Sequence, residues 1–208
     1  VFEGDYDPDG DGIPNYNDTD RDGDGVPDAD VGALVYVDKN SGAAEPDGLS
    51  WGTAFLTVQA GINRALEAGG GEVWVAAATY DEARDTPYND VVVSMGIGLY
   101  GGFAGSETVR SERDVHRHPT ILDGSKANEG SPASWVVAAQ EDARLDGFIV
   151  TGGASTGVML NNSTGVTVAN CTLRGDPGSG LVSGVSVVAV SLKKKGRRIE
   201  AKAYPGAN

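Results

Sequence analysis

Apolar positions along this chain follow first a helical and then a strand-like period. In "TAFLTVQAGINRALEA", Phe55, Val58, Ile62, Ala65 and Leu66 recur at helical spacing, which predicts one amphipathic helix over 53–68. Thr53 is its candidate N-cap, Gly69–Gly71 stops it, and Gln59, Asn63, Arg64 and Glu67 form its polar face. From Gly71 onward the helical spacing disappears. Short β-branched runs separated by glycine take over: "EVWVAAATY", "GIGLYGGFAG", "TILDGS", "SWVVAA", "ARLDGFIVTGG", "GVMLNNS" and "GVTVANCTLRG". These read as strands.

Superimposing the runs brings out a repeat. Val75, Leu99, Leu122, Leu145 and Val168 lie 24, 23, 23 and 23 residues apart. Leu122-Asp123-Gly124 falls over Leu145-Asp146-Gly147, and "LDGFIVTG" falls over "VANCTLRG". A period near 23 built from strands predicts an all-β chain wound as a solenoid, with successive coils about 4.8 Å apart. The first coil would expose a strand edge, which natural proteins cover, and the helix just before it is placed to do so. The chain therefore divides into residues 1–32, a wound body over 33–192 with its cap helix at 53–68, and a tail over 193–208.

Charge separates the first of these parts from the rest. Net charge is -14 over 208 residues, yet residues 1–30 hold Glu3 and ten Asp against Arg21 alone, which leaves -4 for the remainder. This acidity disfavours nucleic acid as a partner. Asp5–Asn17 written above Asp18–Asp30 shows a repeat of 13 residues, with Gly10 and Gly12 over Gly23 and Gly25, and Ile13-Pro14 over Val26-Pro27. The spacing fits a calcium loop with oxygen ligands at positions 1, 3, 5, 7, 9 and 12 and glycine at 6. The first loop supplies Asp7, Asp9, Asp11, the Ile13 carbonyl, Asn15 and Asp18; the second supplies Asp20, Asp22, Asp24, the Val26 carbonyl and Asp28. The second loop has Val31 at its twelfth position, so it should bind more weakly. Oxygen ligands without His or Cys favour calcium as the cofactor. The segment resembles thrombospondin type 3 repeats, although the cysteines of the animal version are absent.

The body has its own resemblance. "YVDKNSGAAEPDGLSWGTAFLTVQAGINRALEAGGGEVWVAAATY", "LYGGFAGSETVRSERD", "TILDG" and "LDGFIVTGG" resemble the N-terminal part of bacterial right-handed parallel β-helix proteins of the pectin-lyase-like superfamily. The resemblance spans about Val35 to Gly175 and departs from the family pattern at "AAATY", where a glycine usually precedes Thr79-Tyr80. It implies a right-handed parallel β-helix in a secreted or cell-surface bacterial protein, and it brings polysaccharide lyases and hydrolases into consideration.

Candidate chemistry in the body is sparse. In the repeat register Asp123 and Asp146 sit one coil apart, near the separation of a retaining glycosidase pair, but each precedes glycine, which is ordinary turn chemistry. His116 and His118 could point the same way from a strand, yet Arg110, Arg113 and Arg117 beside them oppose a cation, and a surface loop fits better. Lys126, Arg144 and Arg174 are candidate bases or clamps for a uronate, with no pattern uniting them. Asn161, Asn162 and Asn170 could form turn ladders between coils, and Cys171 falls at an inward position. A single cysteine excludes an internal disulfide. "LVSGVSVVAVSL", Leu181–Leu192, is too short to cross a bilayer. No signal peptide is visible, and the start at Val1 suggests a processed or excised piece. The tail "SLKKKGRRIEAKAYPGAN" is basic, either solvated or anchoring the chain to an anionic surface.

Together these features predict a calcium-binding β-helix protein with a structural, adhesive or glycan-contacting role. Its partner would be a polysaccharide or cell-surface glycan, and it would be a monomer or part of a longer chain. The competing expectation is an enzyme cleaving acidic polysaccharide, which requires solvent-facing carboxylates with Arg or Lys on successive coils.

Overall fold

The computed structural model describes residues 32–160, 163 and 165–174, together with the backbone of 181–183, 189–194 and 197–201. All the calcium ligands expected between Asp7 and Asp28 lie outside these residues. Fourteen strands and one α-helix make up the described part, with two short 3-10 turns. The chain begins with β1 (Ala33–Val37), then α1 (Val58–Glu67). A first circuit follows: β2 (Gly71–Ala76), β3 (Thr79–Tyr80) and β4 (Val91–Val93). The second is β5 (Ile97–Phe103), β6 (Thr120–Asp123) and β7 (Trp135–Ala139), and the third β8 (Arg144–Asp146), β9 (Phe148–Thr151) and β10 (Thr156–Leu160). After these come β11 (Thr167–Arg174), β12 (Leu181–Ser183), β13 (Ala189–Lys194) and β14 (Arg197–Ala201).

Each circuit visits three rows of pairing in the same order. One arm of the larger sheet runs β1-β2-β5-β8-β11, with β13 on β11 and β14 on β13; the other arm runs β3-β6-β9-β11. Because β11 belongs to both arms, the ten-stranded sheet curls. The separate four-stranded sheet runs β4-β7-β10-β12. Among these strand pairs all are parallel except β13–β14. The described residues thus form a mostly parallel all-β fold with a single α-helix.

The inward rows make the core. Val73 pairs with Leu99, Leu99 with Leu145 and Leu145 with Val168. Tyr80, Leu122 and Val150 form a second row, and Val91, Val137 and Val158 a third; all are buried in one cluster. The expected alignment of Val75, Leu99, Leu122, Leu145 and Val168 is therefore corrected. Val75 pairs with Gly101, and Leu122 stands on the other arm beside Val150, not above Leu145. The reason is loop length. Leu99 to its partner Leu145 is 46 residues (145 - 99), against 23 from Leu145 to Val168 (168 - 145). The loops before β6 and β7 lengthen the second circuit to twice the later spacing, which places Leu122 midway round it. In contrast, the registry of Leu145-Asp146 over Val168-Ala169 is as the repeat implies.

The turn between the two arms is set by backbone conformation. Gly102, Gly147 and Asn170 at this corner have φ of 99°, 86° and 50°, the left-handed region that Gly tolerates and Asn enters more readily than other residues. Asn170 donates from Nδ2 to Asp146 Oδ1 at 2.8 Å, linking neighbouring strands at the corner as a ladder residue would.

The front edge of the strand rows is covered piece by piece. The helix begins later than its apolar spacing implied: residues 51–53 form a 3-10 turn, and Thr57, not Thr53, caps α1 by accepting from the Ala60 amide at 3.3 Å. Val58, Gly61, Ile62 and Ala65 face β1 and β2, while Leu66, expected on that face, is 49 % exposed. Gly61 permits the close approach, since a Cβ there would lie 2.4 Å from Val37 Cγ2. From the polar face, Gln59 Oε1 accepts from the Val92 amide at 2.9 Å, occupying a donor on edge strand β4. Lys39 Nζ reaches the Thr79 carbonyl of edge strand β3 at 2.7 Å. The outer side of β1 bonds to the 48–55 segment, through Tyr36 N to Gly48 O at 2.9 Å and Asp38 N to Phe55 O at 2.8 Å. Edge coverage thus comes from β1, its flanking loop and two side chains as well as from the helix.

At the other end the basic segment also departs from expectation. Its backbone at Arg197–Ala201 forms β14, antiparallel to β13, where no strand pattern was read.

Candidate functional site

The residues singled out by sequence are mostly structural. Asp146 is 0 % exposed on β8, and its carboxylate accepts from Arg113 Nη2 at 2.9 Å, Arg144 Nη2 at 2.7 Å and Asn170 Nδ2 at 2.8 Å. Burial works to raise its pKa, but the Arg113 charge, with hydrogen bonds from Asn170, Arg144 and Arg113, prevails and holds the carboxyl below the ordinary carboxylate range. Arg110, Arg113 and Arg144 all lie over the Tyr100 ring, at 4.7, 5.3 and 5.7 Å from its centroid. Arg110 also pairs with Glu72. The "SETVRSERD" stretch thereby folds back over the outer face of the first arm and is held there by these pairs. Carboxylates and arginines do meet here, as an enzyme of acidic polysaccharide requires. They are spent on each other, and Asp146 is sealed from any substrate.

Asp123 is placed elsewhere. It pairs in register with Thr151, while Asp146 pairs with Tyr100 and Ala169, so the expected carboxylate pair does not form. Asp123 Oδ1 accepts from the Ser125 amide at 2.8 Å, a local turn bond. His116 and His118 sit on a turn ordered by Asp114, whose Oδ1 accepts from the amides of Arg117 at 3.0 Å and His116 at 2.9 Å. His116 and Arg174 line one hollow of about 360 Å³ with Asn170 and Thr172. Lys126 is taken up by Asp81 at 3.3 Å. Cys171 is buried, and burial pushes its thiol up to about 12. Asn161 and Asn162 lie outside the described residues. Among the described residues no three His, Cys, Asp or Glu side chains converge as a metal site, and no helix is long and apolar enough to cross a membrane.

A different place has the makings of a binding site. On the four-stranded sheet Val91, Val93, Val137, Ala139, Val158 and Leu160 point inward and are buried. The alternate positions Val92, Ala138 and Met159 point outward, and they are neighbours in register across β4, β7 and β10. An outward row of a half-solvated sheet is normally polar; this one is apolar. Above it the turn "TPYND" projects Tyr88. Pro87 supplies the fixed φ of a turn, Asn89 takes φ of 56°, and the Asn89 amide closes onto the Thr86 carbonyl at 3.0 Å. Tyr88 is 54 % exposed and its ring meets Trp135 at 4.6 Å between centroids, inclined by 42°.

Trp135 is held in place from behind. Its Nε1 donates to Asp90 Oδ2 at 2.7 Å, and Asp90, 1 % exposed, is itself fixed by Thr86, whose Oγ1 donates to Asp90 Oδ1 at 2.8 Å and accepts from the Asp90 amide at 2.9 Å. The groove has a volume of about 640 Å³ and is completed by Gln140 and Ser163. It therefore combines an apolar floor, an indole held by the Asp90 hydrogen bond, the exposed Tyr88 ring against it and a polar rim, the composition of a ligand site. Sequence reading passed over Tyr88 and Trp135, taking "SWVVAA" as a strand alone. The available signal was the tryptophan at a strand start together with a Pro-Tyr-Asn turn, which only the pairing of β4 with β7 brings together.

The fold and groove define a parallel all-β protein with an aromatic-walled cleft on one sheet. No family model, curated protein or solved structure matches the chain.

Proposed function

We propose that this chain is a secreted or cell-surface protein whose body is a right-handed parallel β-helix, preceded by calcium-binding loops, and that its work is to hold a glycan in the groove of the four-stranded sheet. The single observation that carries the glycan reading is the Tyr88–Trp135 pair, the exposed tyrosine ring set against a half-buried indole that Asp90 fixes. A sugar ring offers one flat face of C–H bonds and a perimeter of hydroxyls. Aromatic side chains with few rotatable bonds accept the first at low entropic cost, and Gln140 and Ser163 can meet the second. The β-helix reading is supported by three rows of parallel pairing visited in one order, circuit after circuit, and by the resemblance to pectin-lyase-like proteins. Calcium rests on the ligand spacing of Asp7, Asp9, Asp11, Ile13, Asn15 and Asp18, and of Asp20, Asp22, Asp24, Val26 and Asp28.

The test is retention of the whole chain by cell-wall polysaccharides, neutral and acidic, in affinity gels with calcium present. Retention that Tyr88→Ala removes supports the reading; a chain that no polysaccharide retards does not contact glycans through this groove. Ultraviolet absorbance from unsaturated uronates, released from pectate or alginate, would instead make the protein a lyase.

A further inference from the structure

We infer that the groove takes an uncharged glycan, laid across the strands along the outward row, and discriminates against uronate or sulfated chains; this rests on the glycan reading above. The described stretches that build and flank the groove, 85–95, 128–142, 155–160 and Ser163, contain no Lys or Arg. They contain Asp85, Asp90, Glu129, Glu141 and Asp142. A polyuronate carries a negative charge on every sugar and needs a cation at each bound carboxylate, because desolvating a carboxylate without a partner is costly. The side chain of Asp90 is already committed to Thr86 and Trp135. Arg84, just before the first of these stretches, is buried, and its Nη2 donates to the Tyr80 and Asp123 carbonyls at 3.1 and 3.0 Å, so it is turned away from a ligand. Arg110, Arg113 and Arg144 are gathered around Tyr100 on the first arm of the other sheet or the loop packed over it.

The floor gives the direction. Val92, Ala138 and Met159 are register neighbours on three successive strands, and the next register position is Val182 on β12. Neighbouring strands are about 4.8 Å apart, close to the rise of one sugar in an extended β-linked chain. A neutral chain crossing the strands therefore places successive rings over successive apolar side chains, with one ring against the Tyr88–Trp135 wall.

The experiment uses the full chain with calcium in affinity gels containing hydroxyethyl cellulose, xylan or galactomannan on one side and polygalacturonate or alginate on the other. Salt is held near 150 mM, where charges more than about 8 Å away are screened, so that the overall acidity of the chain does not decide the outcome. Retardation by at least one neutral polymer is expected, weakened about tenfold or more in Tyr88→Ala and in Trp135→Ala. Circular dichroism confirms that each variant is folded, and Tyr88→Ala, on an exposed turn, is the less invasive of the two. Gln140→Arg should add retention on polygalacturonate. Tyr88-dependent retention on an acidic polymer and none on the neutral ones overturns this inference but leaves the glycan reading standing. No retention on any polymer, or a Tyr88-dependent self-association in the ultracentrifuge, overturns both.

Discussion

Asp146 is the residue on which most polar contacts of the first arm converge. Two guanidinium groups, one from Arg144 on the same strand, and an amide reach it. Removing one member of a buried ion pair strands the others, so Asp146→Ala should cost about 3 kcal/mol, the lower end of such losses because the Arg144 side chain is 42 % exposed and can turn to water. Chemical denaturation near neutral pH measures this. The same group makes stability acid-sensitive. Its pKa is lower folded than unfolded, so its contribution is complete above the ordinary carboxylate value of 3.8 and disappears as pH falls through the depressed one. The Asp146→Asn variant should lose that part of the pH dependence. Cys171 has the opposite character: with its thiol pushed up to about 12 by burial, it should not react with a disulfide reagent at pH 8 until the chain is unfolded. Fast labelling of the native protein would contradict this placement. Cys171 was legible as an inward residue because the later spacing of 23 residues is regular there. Asp146 reads in sequence as a turn residue, whereas the structure buries it at the end of β8, because the arginine that seals it, Arg113, comes from a loop 33 residues away.

At the level of elements, the contact of α1 with the strands depends on a residue without a side chain. Gly61→Ala gains helix propensity, yet its Cβ would enter Val37, a stiff and fully buried side chain. The net effect should be a loss of about 1–2 kcal/mol, read as a lower melting temperature with unchanged helix content. The helix itself was visible in sequence through Val58, Ile62 and Ala65, which face the strands as their spacing requires. Its start was not. Two threonines can cap, and Thr57 prevails because residues 51–55 are held by the Ser50, Tyr36 and Asp38 backbones instead. Gln59 illustrates the same limit. It reads as a solvated polar-face residue, and only its nearness to the edge of β4 makes it a plug for the Val92 amide.

For the whole molecule, the calcium loops and the strand body are separate predictions. Calorimetric titration with calcium should show two sites, the one built on Asp7–Asp18 tighter than the one built on Asp20–Asp28, because the second has Val31 where the first has a carboxylate. Asp7→Ala combined with Asp20→Ala, which removes the first ligand of each loop, should abolish the heat while leaving the melting of the body unchanged; if binding persists, these carboxylates are not the ligands.

By itself the sequence determined the all-β character, the helix before the strands, the inward register of Leu145 over Val168 and the acidic segment with its ligand spacing. Each of these follows from local period or composition, which the chain carries residue by residue. The tertiary structure alone decided that Leu122 belongs to the other arm, that Asp123 and Asp146 are apart, and that Tyr88 meets Trp135. The physical reason is shared: these facts depend on how much chain each circuit spends in loops. Two loops that together add about one repeat leave the pattern of apolar residues intact while moving a strand to a different row.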